Sequence, residues 1–449
     1  MDYNQVEIPL PGGTILAKRS DGLVHVRGLR YATARRFERP VLTENWPSPV
    51  DCTKSASICP QRPSRLNFVT GDLKLGRKMD EDCLNLTIAL PETGLVHQQK
   101  LPVLVWFHGG AYLSGGGDLD CYHPGSLASK GIIVVNVTYR LGIFGFMPVD
   151  EIAPSNLGLM DQLESLRWVN RNIQYFGGDP DRVTIAGQSA GAHSAFLMTI
   201  LDDAQGLFRR VILQSSPFGE VFADKGVKQL SRYAKDLIGT EPQSITTHDL
   251  LQIESKLIAK ANDLNLPLAY WPHFGRYPLP KLSEAESRVS DSAKRIAVLS
   301  GWTTNEGSAF VPLQYENSLW AKVPILGTVI QFVATWRFSG RLFVWPTQEY
   351  HRTFLACGGN SSTYVFNWSP AGSAYGPVHC IDLPFIFGSW DSWKAAPMLR
   401  GSGTKAVVER VGSQVQDLLA HFCTADDVTA FRSVQFEIDE DFVFKLASK

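Results

Sequence analysis

A chain of 449 residues, 44% apolar and 19% charged, can bury a sizeable core and is too apolar to be disordered over most of its length. Its 43 Lys and Arg stand against 44 Asp and Glu, and a net charge of −1 provides no drive toward nucleic acid or an anionic membrane surface. No apolar run approaches the ~18 residues of a membrane helix. The N-terminus, Met1-Asp2-Tyr3-Asn4-Gln5, lacks the basic and apolar regions of a secretory signal, so a cytoplasmic location is expected unless a signal was removed.

Along the chain, Val- and Ile-rich runs at 101–107, 132–138, 183–187, 211–215 and 296–300 predict buried parallel strands, with 364–367 a weaker run of the same kind. Between the second and third runs, Leu159, Leu163, Leu166, Val169 and Ile173 fall on one helical face, with Ser155 and Asn156 as candidate caps and Gly177-Gly178 as the stop. Val408, Val411, Val415, Leu418 and Phe422 mark a second amphipathic helix. Strands alternating with helices predict an α/β fold built on a mainly parallel sheet. No repeat or linker divides the chain, so residues 1–449 are expected to form a single domain. Aromatic-rich stretches at about 218–295 and 310–359 read as insertions over the end of the sheet where ligands bind, forming part of a pocket wall. The seven cysteines, an odd number, form no disulfide scaffold. None stands in a CxxC pair or at zinc spacing to a histidine, so neither a metal nor a cofactor is expected.

The strongest local signal is Gly187-Gln188-Ser189-Ala190-Gly191, between the strand 183–187 and a helical run. In a strand-turn-helix setting this pattern projects a serine from a sharp, strained turn at the sheet's C-terminal edge, where flanking residues must be small. Acyl transfer also needs N–H donors for the oxyanion at the attacked carbonyl. His108-Gly109-Gly110-Ala111 follows the strand 101–107 and offers the Gly109 and Gly110 N–H groups, and Ala190 adds a third. The acid and base follow the serine in the order carboxylate, then histidine. Glu306 comes just after the strand 296–300, and His379 comes after 364–367, so three complementary groups leave one sheet edge. Tyr112, Trp271, Trp302, Phe310 and Phe385 are candidate pocket linings, although core packing is the commoner role for any one of them.

Together the motifs resemble the type-B carboxylesterase/lipase family, the cholinesterase-like branch of the α/β hydrolases. The resemblance spans most of the chain, through Glu81-Asp82-Cys83-Leu84, His108-Gly109-Gly110, Asn156-Leu157-Gly158-Leu159, Phe176-Gly177-Gly178-Asp179-Pro180, Gln188-Ser189-Ala190-Gly191, Asn305-Glu306-Gly307 and His379-Cys380-Ile381-Asp382. It implies an α/β-hydrolase fold with helical insertions, a triad of Ser189, Glu306 and His379, and an oxyanion hole of Gly109, Gly110 and Ala190. It also implies ion pairs of Arg36 with Glu81 and Arg140 with Asp161, and it matches Cys59 and Cys83 to the family's first disulfide. Gln188 stands where Glu is common, and Cys380 follows His379 where a small residue is usual.

The expected function is therefore hydrolysis of a small-molecule carboxylic ester by a serine hydrolase through an acyl-enzyme, with no metal, no nucleic acid, no membrane span and a monomeric state favoured. Alternatives are thioester or lactone hydrolysis, acyl transfer in an intracellular biosynthetic pathway, and a non-catalytic cholinesterase-like binding protein.

Overall fold

In the computed structural model, which describes residues 4–444 apart from 148, 150, 219–223, 267 and 316–325, the Val- and Ile-rich runs become interior strands of one large sheet. Strands β1 (Gln5–Leu10), β2 (Gly13–Ser20) and β3 (Leu23–Arg30) open the chain as an antiparallel meander. β4 (Ala32–Thr33) and β5 (Val41–Leu42) pair apart from it, β6 (Val50–Asp51) adds to β2, and β7 (Asn85–Pro91) pairs antiparallel with β3. Then β8 (Leu101–Phe107), β9 (Ile133–Val137), β10 (Gly178–Gln188), β11 (Arg210–Gln214), β12 (Ala297–Thr303), β13 (Asn360–Phe366) and β14 (Gln435–Ile438) run mutually parallel. The order across the sheet is β1-β2-β3-β7-β9-β8-β10-β11-β12-β13-β14.

Parallel strands must be covered on both faces, and β9 is buried along its whole length. Alternate residues of each strand enter opposite cores. Val103, Val105 and Phe107 of β8 pack with Leu159, Leu163 and Leu166 of the helix Leu157–Asn172. Leu104 and Trp106 pack on the other side with Val408, Val411 and Val415 of the helix Thr404–Thr424. The predicted helical stripe is thus buried as expected, except that Ile173 belongs to a following 3₁₀ turn, Ile173–Phe176.

Asn156 occupies the cap position of the first of these helices, but it is left-handed (φ 66°) and its side chain makes no cap bond. Its carboxamide instead donates to the Arg276 carbonyl at 2.9 Å and accepts from the His273 N–H at 2.7 Å, tying the first insertion to the sheet's helical layer. That insertion contains the helices Asp224–Ile238, Thr247–Asp263 and Ala285–Ala293; the second contains Leu326–Ser339 and Trp345–Ala356. Residues 219–223, Pro267 and 316–325 of the predicted insertions lie outside the described residues. Among the described residues, no helix is long and apolar enough to cross a membrane.

Candidate active site

Ser189 joins β10 to the helix Ala190–Thr199 with φ 56° and ψ −124°, a sparsely populated backbone conformation that must be held by its surroundings. Its N–H donates to the Gln214 carbonyl at the end of β11 (2.8 Å). The turn passes so close to β8 that a Cβ at Gly191 would lie 2.0 Å from the Phe107 carbonyl oxygen. Only glycine fits there, which is why the motif needs one.

Glu306 follows β12, and His379 follows β13. Their loops are laced together: the Asn305 N–H donates to the Pro377 carbonyl (3.0 Å), and the Asn305 side chain and the Ser308 hydroxyl both donate to the Tyr375 carbonyl (2.7 and 2.8 Å). The fully buried Glu306 carboxylate meets His379 Nδ1 at 2.5 Å through Oε2. Its Oε1 accepts from the Ser215 hydroxyl at 2.5 Å and from the Thr303 N–H at 2.8 Å. Burial alone would lower the pKa of His379, but the neighbouring Cys380 and Glu306 side chains raise it above the ordinary imidazole value. The other ring nitrogen, Nε2, lies 3.1 Å from the amide nitrogen of Gln188, which also reaches Cys380 Sγ at 3.4 Å. Asp382 is buried nearby without bonding the imidazole, and burial with the Glu306 charge pushes its pKa up to about 7.

Gly109 and Gly110 face Ser189 across one cavity, and among the described residues the N–H groups of Gly109, Gly110 and Ala190 donate to no protein carbonyl. A Cβ on Gly109 would come within 2.7 Å of the Gln188 carbonyl oxygen, so the two turns interlock. His108 supports this turn rather than reacting: it is fully buried, stacks on Tyr139 at 4.4 Å, and is held neutral by burial, with its pKa lowered to about 4.

The cavity, about 240 Å³, is lined by Ser189, His379, Gly109 and Gly110, with Glu254 and Ile258 from the first insertion and Phe310 at the start of the second. Of the five aromatic residues expected to line it, only Phe310 does so, with its ring 5.0 Å from that of His379. Tyr112 is in the core, bonded to His193 Nδ1 (2.8 Å) and edge-on to Trp271, which is buried with it. Phe385 packs in the opposite core against Phe366 and Trp368, while Trp302 faces a separate cavity with Trp336 and Trp345. Large aromatic groups bury most area in the layers between sheet and helices, and that demand took Tyr112, Trp271 and Phe385. Sequence reading missed the Ser215 hydroxyl, the Gln188 amide contact and the charged cavity residues Arg62, Arg65, Asp72, Lys74 and Glu254. Ser215 could have been found from its place at the end of a strand lying between those that carry Ser189 and Glu306.

Both ion pairs implied by the resemblance are present. Arg36 and Glu81 are joined through two contacts at 2.8 and 2.5 Å, and the buried Arg140 and Asp161 at 2.8 and 2.7 Å. Cys59 and Cys83 are both buried, but both are free thiols, so the bridge is not formed in this structure. Among the described residues, no group of His, Cys, Asp and Glu is arranged to hold a metal ion.

The model of the carboxylesterase family matches residues 5–326. The probable N-octanoylanthranilate hydrolase of Rhodococcus erythropolis is 36% identical over 410 residues, covering 90% of this chain and 89% of that protein. The para-nitrobenzyl esterase of Bacillus subtilis strain 168 is 30% identical over 410 residues, covering 84% and 82%. Among solved structures, a thermophilic pNB esterase matches with a TM-score of 0.81 at 26% identity, covering 97% of this chain and 96% of the other.

Proposed function

From its membership of the carboxylesterase family, to which this chain belongs and whose α/β-hydrolase fold it has, we infer that this carboxylesterase acylates Ser189 with His379 as general base and Glu306 as the group that orients the base. The observation that carries the reading is the buried 2.5 Å contact between His379 Nδ1 and Glu306, beside a strained Ser189 lining the same cavity. With its proton on Nδ1 and directed at Glu306, the imidazole keeps a lone pair on Nε2 to receive the Ser189 proton. In the resting site that lone pair accepts from the Gln188 amide, and attack transfers the acceptor from Gln188 to Ser189 Oγ.

As Ser189 Oγ bonds to the ester carbon, the carbonyl oxygen gains negative charge and takes up the Gly109, Gly110 and Ala190 N–H groups. Donors already in place at that oxygen need no reorganisation during the reaction. His379 then returns the proton to the leaving alcohol, and water, deprotonated by the same nitrogen, releases the acid. The substrate is a small-molecule ester, in keeping with a cavity of about 240 Å³. Cleavage of an N-acyl bond is a second reading, favoured by the Rhodococcus relative named as an N-octanoylanthranilate hydrolase, because either leaving group departs from the same tetrahedral adduct.

A fluorophosphonate probe tests the assignment. It should label the protein once, on Ser189, and Ser189→Ala should remain folded, unlabelled and inactive toward a 4-nitrophenyl ester. Labelling at another serine, or turnover by the variant, would refute it.

A further inference from the structure

The segment 61–74 contributes a stretch of wall to the catalytic cavity and brings three cationic side chains, Arg62, Arg65 and Lys74. One link within this segment and one to a neighbouring loop hold it in place. Lys74 Nζ donates to the Arg62 carbonyl at 2.6 Å, and Gln61 exchanges hydrogen bonds with the backbone of Gly115, both at 2.7 Å. Lys74 is therefore spent on the shape of the loop.

Arg65 is different. Among the described residues it makes no ion pair and no hydrogen bond, and it lines the cavity while its side chain stays exposed to solvent. A guanidinium stays protonated in proteins, so this is a permanent charge with five unused N–H donors on the cavity wall. The acids of the same cavity do not answer it. Asp72 is exposed, and its carboxylate accepts from the Lys74 N–H at 3.4 Å. Glu254 is buried, accepts from the Ile143 N–H at 2.9 Å, and has its pKa pushed up to about 7, so it carries only a fraction of a charge near neutrality. An arginine that stabilises the fold normally finds a carboxylate or a carbonyl, as Arg36 and Arg140 do here.

We propose that Arg65 is a specificity-determining residue that binds a carboxylate of the substrate, so that the preferred substrates of this hydrolase are anionic acyl compounds. The planar fork matches a carboxylate through two parallel hydrogen bonds, and such charge-assisted bidentate pairs are about twice as strong as neutral hydrogen bonds. Arg62, also on the cavity wall, adds a second positive charge. The inference rests on the hydrolase reading above for the word substrate, but anion binding at Arg65 can be measured without turnover.

Two matched pairs of esters test it: 3-butanoyloxybenzoate with 3-butanoyloxybenzamide, charged on the leaving group, and 4-nitrophenyl hydrogen adipate with its adipamate analogue, charged on the acyl chain. The quantity read is kcat/KM for the anion divided by that for its neutral partner. In at least one pair this ratio should exceed 1 for the wild type, fall at least tenfold in Arg65→Gln mainly through KM, and recover in part in Arg65→Lys. Ratios equal in the wild type and Arg65→Gln for both pairs would overturn the proposal. Isothermal titration with benzoate should show binding to the wild type that weakens in Arg65→Gln, and equal binding by both would again overturn it. If no ester of either kind is hydrolysed, the hydrolase reading fails and the benzoate titration still decides the role of Arg65.

Discussion

Replacing Glu306 by Gln changes one carboxylate oxygen to an amide nitrogen, and the hydrogen-bond pattern dictates which one. Oε1 receives two donors, the Ser215 hydroxyl at 2.5 Å and the Thr303 N–H at 2.8 Å, whereas Oε2 faces only His379 Nδ1. The Ser215 hydroxyl can rotate to accept, but the Thr303 N–H cannot. An amide placed with its nitrogen toward Thr303 leaves a buried donor unsatisfied, at a cost of about 1–3 kcal/mol. The glutamine therefore keeps its oxygen toward Thr303 and presents NH₂ to His379. Nδ1 must then accept, the imidazole proton moves to Nε2, and the nitrogen assigned to receive the Ser189 proton can no longer take it. Such a tautomer trap lowers kcat by roughly 10⁴, or about 5 kcal/mol of barrier. The assay is kcat for 4-nitrophenyl butyrate at saturation, with the melting temperature as a check on folding and ¹⁵N shifts of the imidazole reporting the tautomer. A folded Glu306→Gln variant within tenfold of wild-type kcat, or one that retains the proton on Nδ1, would refute the reasoning.

Other consequences follow from the same geometry. Since neighbouring side chains raise the pKa of His379, kcat/KM should climb with pH through a midpoint above the ~6.5 of free imidazole. In Gln188→Glu a carboxylate takes the place of the amide 3.1 Å from Nε2, stabilises the imidazolium, and should move that midpoint further up, by about 1 unit or more. An unmoved or lowered midpoint in the pH–rate profile would count against a charge-free resting partner for His379. Glu254 provides a stability test: its pKa is raised from 4.5 to about 7 in the fold, so the native state holds the proton more tightly than the unfolded chain. Stability should then be greatest below the unfolded value and decline as pH rises until it passes the folded one. Glu254→Gln, whose oxygen can still accept from the Ile143 N–H, removes that decline. It should exceed wild type by up to about 3 kcal/mol at pH 8 and match it near pH 4. Urea titrations at the two pH values check this, and an equal difference at both would contradict it.

Local chemistry alone determines a good deal of this protein. The runs at 101–107 and 132–138 announced interior parallel strands because only segments apolar on both faces can sit between two helical layers, and β8 and β9 lie there with both faces covered. Ser189, Glu306 and His379 could be assigned to one edge because each comes after a parallel strand, Ser189 immediately and His379 at the end of a long loop, and parallel strands deliver their C-terminal ends to one edge. Contacts between elements distant in the chain were not legible, because periodicity tells which side of its own element a residue takes and not what will pack against it. Asn156, read as a helix cap, serves a loop some 120 positions away. Trp302 and Phe310 stand eight positions apart in equally aromatic surroundings, yet only Phe310 reaches the catalytic cavity, since β12 and the turn after it carry the two side chains in different directions. Likewise, Arg36 and Arg65 are both arginines in polar loops. The fold brought Glu81 to the first and left the second facing the cavity without a carboxylate, a difference made by tertiary placement because a charge is paired by whatever arrives within reach of it.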